Sequence, residues 1–344
     1  MNLRRLRYTA VAAAVLVAAC LFSISLFSIS MSGQDGPATQ TASITQTLLA
    51  WAYPVDPPPP PGPPPADDGS LQRLPGSPLA LTITQVRDRF NIPDWFPNEH
   101  PPLPDIVAHG RAPDVWGCGY CHLPNAQGRP ENSSLAGLPA AYIVQQIADW
   151  KNDLRKSSEP KMGPPSRMVT MAKAANDAEV KIAAEYFASL KFKQWIRVVE
   201  SNTVPKTQPA GGMLHPVKGG GTEPIGQRII ETPEDVERTE LRDPSSGFIA
   251  YVPVGSIKKG EALVTTGGAG KTIRCGICHG DDLKGLAHVP PLAGRSPSYV
   301  ARQLHDMQSG ARKGVWTPLM KEVVAKLTVG DIVAIAAYTS SRTP

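Results

Sequence analysis

The chain has 344 residues, which is long enough for two domains with extensions, and its 36 prolines exceed the average share. Such an excess favours linkers and irregular loops over one continuous fold. The 35 Lys/Arg and 30 Asp/Glu residues nearly balance once Arg4, Arg5 and Arg7 at the N-terminus are set aside. Aromatic residues make up 6% of the chain and are not interleaved with a basic cluster, so the sequence predicts no nucleic-acid partner.

Residues 1–31 have the pattern of an export leader. Three arginines precede a run without charged residues from Tyr8 to Met31, long enough to cross a bilayer as a helix. Three interpretations stay open: an uncleaved membrane anchor, a signal peptide cleaved after Ser30, and lipid attachment at Cys20. Each of them places the rest of the chain outside the cytoplasmic membrane, and the N-terminal arginines predict the same orientation.

Residues 32–70 are predicted to form a proline-rich tether. The run Pro57–Pro65 contains only proline and one glycine. Because proline fixes φ and lacks an N–H, this run should be a stiff polyproline II spacer, reaching roughly 28 Å at about 3.1 Å per residue. Such a spacer would hold the following domains away from a membrane; an inert disordered segment is the alternative.

An internal repeat begins at two C-x-x-C-H motifs, Cys118–His122 and Cys275–His279. The residues that follow match at a constant offset and without a gap as far as Lys156 and Lys313. The matched pairs include Leu135-Ala136-Gly137 with Leu292-Ala293-Gly294, Tyr142 with Tyr299, Gln146 with Gln303, Asp149 with Asp306, and Arg155 with Arg312. This length of agreement indicates two homologous units.

The two copies also end alike. After a proline-containing insertion in the first copy, Met168 matches Met320 and Tyr186 matches Tyr338. Each copy finishes with an alanine-rich helix, predicted over 178–190 and 329–340, and Asn176 and Thr328 are the expected N-caps. We therefore predict two helical domains, residues 71–192 and 256–344, joined by a connector at 193–255.

The motif spacing points to covalent haem. Cysteines three residues apart on a helical turn lie on one face, as two thioether bonds to one haem require, and C-x-x-C-H is the signature of c-type haem attachment. A structural zinc site would need two pairs to converge, whereas each pair here begins its own repeat; disulfides are the other alternative. The predicted attachment residues are Cys118, Cys121, Cys275 and Cys278, and the predicted iron ligands are His122 and His279.

The sixth ligand is expected to be methionine, because a His/Met pair raises the reduction potential. Met320 has no local competitor in the second domain. In the first domain Met162, Met168 and Met171 compete, and the repeat alignment selects Met168.

A carbonyl is expected to hold the other ring nitrogen of each ligand histidine. We expect it from Pro290-Pro291-Leu292 in the second domain and from Ser134 in the first. The other conspicuous ring residues are predicted to be core or surface residues: Tyr142, Tyr186, Tyr299, Tyr338, His100, His109, His215, His288 and His305.

Three stretches of the second repeat carry a family resemblance: His-Gly-Asp-Asp-Leu-Lys-Gly, Pro-Pro-Leu-Ala-Gly-Arg-Ser-Pro-Ser-Tyr, and Gln-Leu-x-x-Met-Gln-Ser-Gly-Ala-Arg-Lys. They resemble class I cytochrome c domains of the c4 and c553 type, over about 256–342, with a weaker match over about 105–192. Two such domains in one chain resemble dihaem cytochrome c4. The resemblance implies a mostly α fold with two helical domains around covalent haem c groups, and the axial pairs His122/Met168 and His279/Met320.

Two features depart from that family. Proline-rich Pro101–Pro113 leaves the first helix of the first domain short or absent, whereas Lys258–Thr266 can form it in the second. The connector is longer than the family's, and its β-branched runs at Trp195–Val199, Gln227–Glu231 and Phe248–Val254 predict short strands. Its role stays open between an interdomain brace and a partner-docking surface.

These observations predict an electron carrier rather than an enzyme. Both irons would be six-coordinate, and no nucleophile triad, P-loop or dinucleotide fingerprint is present. The expected location is the periplasm, with the N-terminal segment anchored in the inner membrane. The expected partners are a dehydrogenase, a quinol-oxidising complex or a terminal oxidase. The alternatives are an electron-accepting subunit of a dehydrogenase or oxidase complex and a dihaem peroxidase, which would need one displaceable iron ligand.

Overall fold

The computed structural model describes residues 49–63 and 66–344, all within one unit of the chain that runs from Thr41 to Pro344. The leader at 1–31, Cys20 and the tether as far as residue 48 lie outside the described residues. Within the described residues, no single helix has the length and hydropathy of a membrane span. Pro318–Val324 and Val329–Ser340 meet those limits only as a pair, which is bent by 113°.

The first helical unit is built from six helices: α1 Ile83–Val86, α2 Asp105–Ala108, α3 Cys118–His122, α4 Ala140–Lys151, α5 Gly163–Ala174 and α6 Asp177–Ser189. Helix α6 packs against α4, and its buried face joins Ile143, Phe187 and Leu190 in one apolar cluster. Asn176 caps α6 through a capping box with Glu179, as predicted. The proline-rich stretch 101–113 contains the four-residue α2, which agrees with the prediction that a helix there is short or absent.

The connector contains most of the β structure. Its strands are β1 Ile196–Glu200, β2 Thr203–Pro205, β3 Thr207–Ala210, β4 Met213–Pro216, β5 Thr222–Pro224, β6 Ile230–Pro233 and β7 Phe248–Val252, with α7 Val236–Glu240 between β6 and β7. Strands β1, β7 and β6 form one sheet in that order, with β1 parallel and β6 antiparallel to β7. These are the three predicted strands; the pairs β2–β5 and β3–β4 were not predicted.

The second helical unit contains α8 Ser256–Thr266, α9 Gly276–His279, α10 Pro297–Ser309, α11 Pro318–Val324 and α12 Val329–Ser340. Every residue of α12 except Gly330 is buried, and Thr328 caps it through the predicted capping box. Helices α8 and α12 meet at backbone distance, because a Cβ on Gly260 would lie 2.0 Å from the Ala334 carbonyl oxygen. The first helix of this unit begins at Ser256, two residues before its prediction.

Residues 49–53, which we call the N-terminal strap, pack into the core of the second unit. Leu49 and Ala52 are fully buried, and the Tyr53 hydroxyl donates to Asp306 Oδ1 at 2.8 Å. The strap precedes the proline run, although it belongs to the segment predicted as a tether. The run Pro57–Pro65 therefore follows a segment that is already packed on the second unit. It cannot hold that unit away from a membrane, so the prediction of a stand-off spacer there is wrong. Residues 64 and 65 of that run lie outside the described part.

Candidate haem sites

The first C-x-x-C-H motif forms the short helix α3. Cys118 and Cys121 stand one helical turn apart on it, and Leu123 ends it with a left-handed φ of 65°. Gly119 is required by close packing, because a Cβ there would lie 2.4 Å from the Ile92 side chain. The local chain geometry therefore puts both thiols and the following histidine at one place, as covalent attachment of a single haem needs.

The two motif histidines, predicted to be iron ligands, are held in the same way in both repeats. His122 Nδ1 lies 2.8 Å from the Ser133 carbonyl oxygen, and His279 Nδ1 lies 2.8 Å from that of Pro290. Because Nδ1 donates its proton to a carbonyl, Nε2 is left with a free lone pair for a metal. Burial lowers the pKa of both histidines, which favours the neutral ring that metal binding needs.

The carbonyl expected from Ser134 has another partner. Arg295 donates from Nη1 to the Ser134 oxygen and from Nη2 to the Ala136 oxygen, both at 2.9 Å. The prediction of Ser134 is therefore wrong by one residue, since the His122 anchor is Ser133. The acceptors Ser133 and Pro290 are equivalent positions of the repeat.

A cavity of 310 Å³ opens beside the first motif. Its wall includes Cys121, His122, Leu135, Ile143, Met168 and Met171. The cavity thus joins a motif cysteine, a neutral imidazole, aliphatic side chains and thioether sulfurs, which is the set of groups that a c-type haem requires. The residues present therefore fit the group.

The structure separates the three methionines of the first domain. Met162 is fully buried in the core cluster that holds the strap and the second unit. The sulfur of Met171 accepts a hydrogen bond from the Trp116 backbone N–H at 3.3 Å. Met168 stands one turn before Met171 on α5 and also lines the cavity, so its position is compatible with the predicted ligand role.

The second motif lies on α9, with Cys275 as its N-cap and Cys278 exposed to solvent. The loop after it folds back as in the first repeat, since Gly285 N donates to the His279 oxygen at 2.8 Å and its equivalent Gly128 N to the His122 oxygen at 2.9 Å. Met320 lies on α11 and packs partly buried against the core of the second unit.

Burial suppresses ionisation of three motif thiols, those of Cys118, Cys121 and Cys275. Burial raises the pKa of Cys118 to about 12 and that of Cys275 to about 11. No group of three or more His, Cys, Asp or Glu residues is arranged for a metal ion in the described part of the chain.

A reciprocal network joins the two helical units. Arg155 donates to Tyr299 Oη at 2.9 Å and Arg312 to Tyr142 Oη at 3.0 Å. Both arginines also reach the side-chain oxygens of Gln146 and Gln303. The repeat matches Tyr142 with Tyr299, and both were predicted to be core or surface residues. In the structure each tyrosine hydroxyl accepts a hydrogen bond from the arginine of the other unit. The presence of the same residues in both repeats was the sequence feature that could have indicated this interface.

Two of the other histidines, His100 and His305, have structural partners. His100 Nε2 lies 3.0 Å from Asp94 Oδ1, and its ring also meets the Tyr186 hydroxyl at 3.3 Å. His305 is buried and packs edge-on against Tyr53, with ring centroids 6.1 Å apart.

Comparison with known proteins gives relatives of one kind, although no family model matches the chain. A cytochrome c4 from Pseudomonas aeruginosa is 36% identical over 228 residues, which cover 64% of this chain and 81% of that protein. A cytochrome c4 from Stutzerimonas stutzeri is 30% identical over 145 residues, covering 36% of this chain and 68% of that protein. A thiosulfate dehydrogenase electron acceptor from Thiomonas intermedia is 24% identical over 233 residues, or 67% and 80% of the two chains.

Solved structures are similar at a lower level. Reduced cytochrome c4 from Pseudomonas stutzeri has a TM-score of 0.43 at 23% identity, covering 65% of this chain and 93% of that chain. Thiosulfate dehydrogenase (TsdBA) from Marichromatium purpuratum has a TM-score of 0.44 at 24% identity, and the match covers 68% of this chain and 38% of that chain.

The repeated motif sites and the helix-rich units define a dihaem class I cytochrome c, whose function is electron transfer. With 36% identity over 81% of the Pseudomonas aeruginosa protein, the chain belongs to the cytochrome c4 family.

Proposed function

We propose that the chain carries two covalent haem c groups and passes electrons between them and an outside redox protein. The attachment residues are Cys118 and Cys121 in the first domain and their equivalents Cys275 and Cys278 in the second. The observation that carries this proposal is the matched anchoring of the two histidines, each held by a carbonyl 2.8 Å away at equivalent positions.

The proposed axial pairs are His122 with Met168 and His279 with Met320. Haem c held by these residues would supply one-electron redox chemistry, and pairing histidine with a thioether would favour the reduced form. The chain's own contribution is orientation and shielding: the carbonyl of Ser133 or Pro290 fixes each imidazole, and aliphatic side chains such as Leu135 keep water from the first site.

The proposed domain division is a leader at 1–31, a segment at 32–70 that includes the strap, haem domains at 71–192 and 256–344, and the connector at 193–255. The connector and the reciprocal arginine network brace the two haem domains against each other. A braced pair of sites suits electron transfer, since the distance between them stays fixed during turnover.

The proposed partner is a dehydrogenase that delivers electrons to this chain outside the cytoplasmic membrane. Relatives named as electron acceptors of thiosulfate dehydrogenase support a partner of this class. The leader pattern supports export to the periplasm, and we propose that residues before 49 hold the protein at the inner membrane. Membrane fractionation tests the last point: haem stain should stay with the pellet through a carbonate wash and be released by detergent.

Intact mass tests the cofactor proposal. Holo-protein made with the haem-maturation machinery should exceed the processed polypeptide by the mass of two haems. The Cys275→Ala/Cys278→Ala double variant should lose one haem, and the matched Cys118→Ala/Cys121→Ala variant should lose the other. A wild-type mass gain of one haem, or of none, contradicts the proposal.

A further inference from the structure

The connector covers one of the two C-x-x-C-H faces. Arg242, just after α7, donates from Nη1 to the Tyr120 carbonyl oxygen at 2.6 Å, and its guanidinium carbon lies 3.6 Å from the centre of the Tyr120 ring. Tyr120 is the third residue of the first motif and lies between its two cysteines. Tyr120 is consequently only 9% exposed.

Three more residues after the first motif bind the connector. Asn125 Nδ2 donates to the Pro244 oxygen at 2.8 Å, Gln127 Nε2 to the Lys193 oxygen at 3.1 Å, and Arg129 Nη1 to the Thr239 oxygen at 3.2 Å.

The β3–β4 hairpin of the connector approaches the same site from another side. A Cβ on Gly212, at its tip, would lie 2.7 Å from Pro164 at the start of α5. Arg242 and Gly211 line the cavity beside His122. The connector therefore meets the first site both at the motif and at the helix that carries Met168.

The equivalent positions of the second repeat are open. Ile277, the counterpart of Tyr120, is 62% exposed, and Leu286, the counterpart of Arg129, is 58% exposed. Asp282 and Lys284, the counterparts of Asn125 and Gln127, are also exposed, as is Cys278. At four positions, then, the first repeat binds the connector where the second faces solvent.

We infer that the connector is a fixed cover that closes the first C-x-x-C-H face to electron exchange with other molecules. The face around Ile277 and Cys278 is then the port through which electrons enter and leave, and the first haem exchanges them by way of the second. This inference deepens the proposed function and rests on it, because both motifs must carry haem. It assigns the connector the role of restricting exchange to one domain.

Ferricyanide is a suitable probe of the port, because it accepts one electron per reduced iron from outside and becomes ferrocyanide. It carries three negative charges, so a carboxylate at the port should repel it. At low ionic strength, an added charge about 8 Å from the approaching ion lowers the rate about tenfold, and 1 M salt removes the effect. Stopped-flow oxidation of dithionite-reduced holo-protein measures this rate.

The deciding variant is Ile277→Glu, and the matched control is Ile182→Glu, the same substitution at an exposed isoleucine on α6. We expect Ile277→Glu to slow oxidation of both haems about tenfold and to lower the midpoint potential of one haem. Ile182→Glu should leave the rate and both potentials unchanged. Equal rates for Ile277→Glu and wild type, or equal slowing by both variants, overturn the inference.

Removing the cover supplies the second arm. Arg242→Ala, introduced into the Ile277→Glu protein, should restore a fast phase of oxidation by ferricyanide whose amplitude corresponds to one haem. If oxidation stays slow, the proposed role of the connector is contradicted. The Ile277→Glu arm does not touch the connector, so it decides the matter if Arg242→Ala fails to fold. Mass and reversible redox titration of the same wild-type sample come first. A wild-type protein without two haems that titrate reversibly would contradict the proposed function. Two such haems, together with Ile277→Glu kinetics equal to those of wild type, would contradict only the inference about the port.

Discussion

Replacing Arg155 or Arg312 by alanine should weaken the joint between the haem domains by an amount that depends on the other arginine. Each arginine residue is 7% exposed, and its guanidinium makes three hydrogen bonds, one to a tyrosine and two to the glutamine oxygens. Hydrogen bonds from a charged donor contribute about 1.5–3 kcal/mol each. Since removal of a buried arginine also recovers its desolvation cost, we expect each single variant to lose about 3–5 kcal/mol.

The double variant should lose more than the sum of the singles. In each single variant Gln146 and Gln303 still receive one arginine donor, but in the double variant neither oxygen receives one. An unsatisfied buried acceptor costs about 1–3 kcal/mol, so we expect an excess of about 2 kcal/mol.

Urea denaturation of the holo-protein, followed by circular dichroism and by haem absorbance, measures these losses. Lys156→Ala is the control, because the Lys156 side chain next to Arg155 in sequence is exposed and its ion pair with Asp153 spans 3.7 Å. That variant should change stability by no more than about 0.5 kcal/mol. Additive losses in the double variant would refute the shared-acceptor geometry.

Three further outcomes follow from the sites and the core. Met320→His should lower the midpoint potential of one haem and Met168→His that of the other, since histidine stabilises ferric iron more than a thioether does; potentiometric titration would expose a wrong ligand as a variant without effect. Tyr53→Phe should destabilise the second unit by about 1–2 kcal/mol in urea, because it removes the strap's bond to Asp306. Burial raises the pKa of Asp331, but hydrogen bonds from Lys259 and Thr328 outweigh it and hold the pKa well below the usual range. The carboxylate therefore stabilises the fold above about pH 4 and loses that effect as acid protonates it, so Asp331→Asn should flatten the acid limb of stability measured against pH.

Local patterns predicted much of the fold. The capping residues Asn176 and Thr328 each bind backbone within one turn, so a few neighbouring letters suffice to identify them. The strands at 196–200, 230–233 and 248–252 follow from β-branched runs. Their order was not predictable, because the parallel pairing of β1 with β7 joins segments far apart in sequence.

The strap was missed for a different reason. The proline run that follows it dominated the composition of 32–70 and led to one assignment for the whole segment. Leu49, Trp51 and Tyr53 form an apolar cluster just before those prolines, and that cluster was the signal for burial. Which core it enters was beyond sequence pattern, since its bond to Asp306 joins residues that are distant along the chain.

The residues that differ between the two repeats lie on other surfaces than the residues that are identical in both. A reciprocal interface between two similar units uses the same patch on both sides, so a residue that serves there must suit both copies. Arg155 and Arg312 are identical in the two repeats and lie opposite each other at that interface, where their backbones form a β-bridge. Tyr120 and Ile277 differ, and only the first has the connector above it. Identity between the copies thus marks the joint between the domains, whereas difference marks the face that one copy buries against the connector and the other leaves open. Because the motif cysteines and histidines are the same in both repeats, the proposed sites would share their cofactor chemistry and differ in the exposure of the face around Tyr120 or Ile277.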